Sequence, residues 1–118
     1  MSAPRIEAGD LRHAVTIQRQ STTANAAGDL TGSWSNVATV AASIHSTRGG
    51  ESVRAQRLSG IKPFDIVVRS SASTRSITTA DRLIDRDGRT FNVKWTGDLD
   101  GRGRFVWITA EAGGLTHG

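Results

Sequence analysis

Cysteine is absent from this chain. Its absence excludes a disulfide framework, a thiolate metal site and a cysteine nucleophile, and it suits a reducing cytoplasm. Aromatic residues are scarce, at 5% of 118 residues, and the hydrophobic fraction is 36%. The core must therefore be small, resting on Trp34, Phe64, Phe91, Trp95, Phe105, Trp107 and the Val and Ile positions between them. One domain is expected, because domains take roughly 100–200 residues. No apolar run approaches the roughly 18 residues of a membrane span, so no membrane partner is expected. The opening MSAPRIEAGD holds no apolar stretch, and no secretory leader is expected there.

Basic residues are well represented, with a formal net charge of +4. Nearly all of them are arginine, Lys62 and Lys94 being the lysines. Arginine favours planar, bidentate contact with carboxylate or phosphate. On charge alone, a soluble surface rich in Arg–Asp pairs is the simpler reading. Contact with DNA or with an acidic protein face is the sharper one.

Alternation of apolar and polar residues organises the chain. Residues 1–10 contain Pro4 and Gly9 and read as a flexible arm. Residues 11–19 alternate as a first strand, with Val15 and Ile17 on one side. Residues 20–33 are Ser, Thr, Ala, Asn and Gly and predict a mobile hairpin tip. Residues 34–46 read as a second strand, with Ala38, Val40, Ala42 and Ile44 together. The basic stretch 47–63 permits a short helix, bounded by Gly60 and Pro63. Phe64, Ile66 and Val68 alternate inward along a third strand. Residues 71–80, rich in Ser and Thr, predict a loop with an irregular short strand. DRLIDRDGRTFNVKW is a hairpin signal, with Asp87-Gly88 as a tight turn of positive φ between Leu83-Ile84 and Phe91-Val93-Trp95. Residues 97–103 form a second glycine-rich turn, RFVWITAE a last strand, and residues 112–118 a fraying tail. The predicted fold class is mainly β: a small β-barrel with long loop excursions and at most one short helix.

No constellation points to catalysis. His13, His45 and His117 have no second ligand at metal spacing. Asp81, Asp85 and Asp87, and then Asp98 and Asp100, resemble fragments of calcium loops without the remaining ligands. Turn formation explains them. A hydrolase built on Asp85 and Asp98 has the least support. No nucleophile elbow or phosphate loop is present, so no cofactor and no metal are expected. In isolation, the basic stretch reads as a solvated face more readily than as a DNA contact. It lacks the interleaved aromatics of a single-strand platform.

Ala8-Gly9-Asp10-Leu11-Arg12-His13 followed by Val15-Thr16-Ile17-Gln18-Arg19 resembles the start of the head–tail joining (head-closure, or stopper) family of tailed bacteriophages and phage-like gene transfer particles. The resemblance continues through Gly28, Trp34, Val37, Ala42-Ser43-Ile44, Gly50-Glu51, Ala55, Ile66-Val67-Val68-Arg69, DGRTFNV and Glu111. It covers residues 8–111, and the Ser/Thr-rich 71–80 departs most.

The resemblance implies a structural virion-neck protein, not an enzyme, assembled in the bacterial cytoplasm. It implies a homo-oligomeric ring, six-fold in preference to twelve-fold. Portal and adaptor proteins would lie above it and tail terminator or tail tube proteins below. The ring would retain packaged double-stranded DNA without reading its sequence. Arg48, Arg54, Arg57 and Lys62 are the candidates for the DNA channel or the neighbouring subunit. Asn25, Gly28 and Asp29 are the docking-loop candidates. A tail-completion or adaptor protein of the same connector, and a non-specific DNA-binding β-barrel, are the alternatives.

Overall fold

The computed structural model describes residues 8–24, 30–46, 60–99 and 101–113. A 3-10 turn, Ala8–Asp10, lies in what the sequence reads as the arm. Six strands follow: β1 (His13–Ala24), β2 (Leu30–Ser46), β3 (Ile61–Arg69), β4 (Arg82–Asp85), β5 (Thr90–Asp98) and β6 (Phe105–Gly113). A one-turn helix, α1 (Ala72–Arg75), sits between β3 and β4.

All neighbouring strands pair antiparallel, in the order β1-β2-β3-β6-β5-β4. The cycle returns to β1 through a short seam with β4, Val15↔Asp85 to Gln18↔Arg82. Beyond that seam the sheet opens. β1 from Arg19 onward pairs only with β2 among the described residues, and β2 before Ala42 pairs only with β1. The expected barrel with loop excursions is therefore corrected. The sheet as a whole does not close into a barrel, because its two longest strands run on as an open two-stranded ribbon. The residues read as a loose tip, 20–33, are largely ladder, paired as far as Ala24↔Leu30. Ser and Thr there give the sequence no apolar alternation by which to mark a strand. The radius of gyration, 15.2 Å, exceeds the roughly 13.5 Å of a compact chain this long, as the projecting ribbon requires.

Inside the ring of strands, Val15, Ile17, Ile66, Leu83, Phe91 and Ile108 are fully buried. Each contributes about 1.5–3 kcal/mol by leaving water. Phe64 meets Phe91 edge-on, with centroids 5.1 Å apart. Phe64, Ile66 and Val68 point inward as their alternation predicts. Val67 is buried too, because Phe105 and Trp107, with Leu11 and Leu99, cover the outer face of β3 and β6.

Two tryptophans assigned to the core lie elsewhere. Trp95 is 46% exposed. A register slip between Val93 and Trp95 places an extra residue, Lys94, in β5, and such a bulge turns the next side chain to the other face. Trp34 is half-buried, on the ribbon.

The helix also differs from expectation. Residues 47–59 of the basic stretch lie outside the described residues, and 61–63 belong to β3. The described helix falls in 71–80, where a loop was expected. Ser71 caps it: its hydroxyl accepts from Thr74 N–H while Thr74 Oγ1 accepts from Ser71 N–H.

The 85–89 turn has one positive φ, at Gly88 (+86°), and none at Asp87. It is not the two-residue turn the sequence suggested. Asp85 N–H donates to Arg89 O, and the Asp85 carboxylate accepts from Asp87 N–H and Arg89 N–H. That pattern is a three-residue loop ending in a left-handed glycine.

Candidate assembly interface

Ribbon and ring of strands meet at a polar root. Arg19 and Gln18, adjacent in β1, point to opposite faces. On one face, Arg19 Nε and Nη2 donate to the two carboxylate oxygens of Asp81 at 3.1 and 3.0 Å. Nη2 also donates to Ser76 O and Oγ. The Asp81 side chain is 1% exposed and also accepts from Thr78 N–H. The hydrogen bond to Asp81 raises the Arg19 pKa above its ordinary value, with the charge attraction adding and burial opposing. The sign follows directly. A base with a raised folded-state pKa contributes its full stability below the unfolded value and loses it only as pH climbs through the folded one. This contact is thus intact on the guanidinium side at every physiological pH.

On the opposite face a relay crosses three strands. Arg82 Nε donates to Gln18 Oε1 (2.8 Å), and Gln18 Nε2 donates to Asn36 Oδ1 (2.9 Å). The Arg82 guanidinium lies 4.0 Å over the Trp34 ring, a favourable cation–π distance. Beside it runs a polar groove of about 580 Å³ lined by Gln20, Gly32, Trp34, Asn92 and Lys94 among others.

A second exposed feature lies on the outer face of β5 and β6. Trp95 meets Trp107 edge-on at 5.2 Å, and Trp107 Nε1–H donates to Asp65 Oδ1 (3.0 Å). Gly97 makes room for this pair, since a Cβ there would collide with Trp95 Cη2.

Of the contact residues expected from sequence, Lys62 is described. It is exposed near the start of β3, opposite Ala112. Arg48, Arg54, Arg57, Asn25, Gly28 and Asp29 lie outside the described residues. Their connections are nevertheless set by the strands. Segment 25–29 joins Ala24 to Leu30 at the outer end of the ribbon, and segment 47–59 leaves from the opposite end of β2. β2 has 17 residues, which at about 3.3 Å each separates these exits by roughly 50 Å.

Sequence reasoning missed Arg19, Arg82, Trp34 and Trp95 as a set. Alternation marks Gln18 and Arg19 as opposite-facing, but nothing local names partners more than 60 residues away. Three of the turn aspartates are engaged in structure. Asp81 holds Arg19, Asp85 holds its own turn, and Asp98 accepts from Gly103 N–H. Among the described residues, no group of three or more His, Cys, Asp or Glu gathers as a metal site, and no helix is long and apolar enough to cross a membrane.

No curated protein matches this chain. Solved structures that share its fold include these two. One is a chain of the virion of a native gene transfer agent particle, 21% identical, aligned over 96% of this chain and 99% of that one with a TM-score of 0.63. The other is the solution structure of protein SF1141 from Shigella flexneri 2a, 19% identical, over 94% and 100%, with a TM-score of 0.70. The family model described as phage head completion protein matches residues 6–113. That span takes in every strand and the root of the ribbon, and the chain belongs to the phage head completion protein family, structural proteins of the virion neck without catalytic function.

Proposed function

We propose that this protein closes the filled head as a ring of identical subunits, six-fold in preference to twelve-fold. Portal and adaptor proteins lie on one side of the ring, and the tail terminator or tail tube lies on the other. Packaged double-stranded DNA occupies the lumen and is held through phosphate contacts that ignore sequence. One observation carries this reading: the segments with contact-forming composition leave the sheet at opposite ends of β2, roughly 50 Å apart. A subunit built so can address two different neighbours at once. Arg48, Arg54, Arg57 and Lys62 serve the lumen or the adjacent subunit, and Asn25, Gly28 and Asp29 serve docking at the far end. The likeness to a gene transfer agent chain makes a phage-like particle a fitting setting as well as a phage.

Electron microscopy of particles from a strain lacking the gene tests the role. Heads that fill and then empty, with free tails beside them, are expected. Complete, tailed, DNA-filled particles would overturn it. Charge reversal of Arg54 and Arg57 separates the two basic roles: failure to form rings assigns them to the subunit interface, and normal rings with leaking DNA assign them to the lumen.

A further inference from the structure

We propose that neighbouring copies join edge to edge through the ribbon, the free edge of β2 in one copy pairing antiparallel with the free edge of β1 in the next. This rests on the ring reading above and names its interface.

The ribbon has two open edges at the same height. From Gln20↔Trp34 to Ala24↔Leu30, β1 and β2 pair with each other and with no other described strand. Among the described residues, each therefore presents five residues of backbone with no partner strand on its outer side. Such edges template pairing with another chain, and soluble proteins blunt them with charge, proline or cover. Here neither proline nor charge does so. Between Gln20 and Ala41 there is no proline, and Asp29 is the only Asp, Glu, Lys or Arg, in a chain where charged residues make up 22%. The bulge in this strand pair falls between Ile17 and Gln18, below the open levels. Charge is thus withheld from the stretch of sheet that most needs it, which is the pattern of an edge that is paired in use.

The occupant follows from polarity. β1 and β2 run antiparallel, so a copy rotated about an axis along the ribbon meets β2 with its own β1 in antiparallel sense. Both edges of every copy are then used, and such a head-to-tail contact closes into a ring when the rotation closes. A two-fold pairing of β2 with β2 would leave β1 open. It would also point alternate copies in opposite directions, which a neck with a head on one side and a tail on the other forbids.

The absence of cysteine supplies a clean test. Ser21 and Ser33 are exposed and face each other within the ribbon, Oγ to Oγ 3.3 Å. Ser21→Cys and Ser33→Cys chains are produced together in the same host, and assembled particles are treated with a mild oxidant. A disulfide-linked dimer is expected in the mixture and in neither variant alone. Ser35→Cys mixed with Ser21→Cys covers a register displaced by two residues on the same face. Rings visible by electron microscopy with no dimer in either mixture overturn the edge pairing and leave the ring reading standing. Dimers from Ser33→Cys alone mean that like edges meet, and overturn it too. Particles of unaltered protein without any ring remove the ring reading, and this interface with it.

Discussion

Arg19 and Asp81 show how much one pair of side chains can decide. The carboxylate is shut away from water while the guanidinium is 40% exposed, so losing either partner has unequal consequences. Arg19→Ala strands a buried carboxylate with one donor, Thr78 N–H, and should destabilise the fold by about 3 kcal/mol, the low end for a broken buried pair. Arg19→Lys keeps the charge but not the two-pronged contact, and should fall between. Urea midpoints of the three proteins check the order. Gly97 makes a different point. Gly97→Ala forces the Trp95 ring off Trp107 and removes an aromatic pair worth about 1 kcal/mol. Tryptophan emission should shift to the red, reporting Trp95 in water, while the far-ultraviolet dichroism stays the same.

At the scale of elements, burial decides what sequence reveals. β3, β6 and the β4–β5 hairpin were legible because each places apolar side chains against the core at every second position. The outer ribbon was not, since Ser and Thr without an apolar face look the same in a loop and in a ladder. Trp95 misled because alternation cannot be counted across the bulge at Lys94. α1 escaped notice because a single turn has no periodicity to display; Ser71 followed three residues later by Thr74 was its one signal. Of the candidate contact residues, Lys62 alone is described, exposed near the start of β3. The polar root was hidden, because its partners are distant in sequence. α1 yields its own prediction. Thr74 Oγ1 donates to Arg69 O and accepts from Ser71 N–H, so Thr74→Val leaves two backbone groups unmatched and should cost about 1–3 kcal/mol. Ser71→Ala, which removes only the cap, should cost about 1 kcal/mol. Thermal melts of both variants distinguish the two.

At the scale of the molecule, the proposed interface would divide folding and assembly between its two halves. Among the residues whose burial is described, none of the buried core lies between Gln20 and Ala41. Replacing Ser21–Ser33 by Asn-Gly, a turn suited to a two-residue hairpin, should change stability by no more than about 0.5 kcal/mol, as surface changes do. The same shortened protein should fail to form neck rings in particles. Denaturation midpoints and electron microscopy read the two effects separately.

The polar root has a mechanical consequence. The ribbon is a lever whose last described pair, Ala24↔Leu30, stands about 13 Å beyond Gln20, and its fulcrum is braced on both faces. Bending toward one face pulls on the Arg19–Asp81 clamp, and bending toward the other pulls on the Arg82–Gln18–Asn36 relay. Both braces end on the same short stretch, Asp81-Arg82, which leads directly into β4 and the seam that closes the ring of strands. Torque applied at the tip is therefore delivered to a seam of four ladder pairs, one of the two short joins in the sheet.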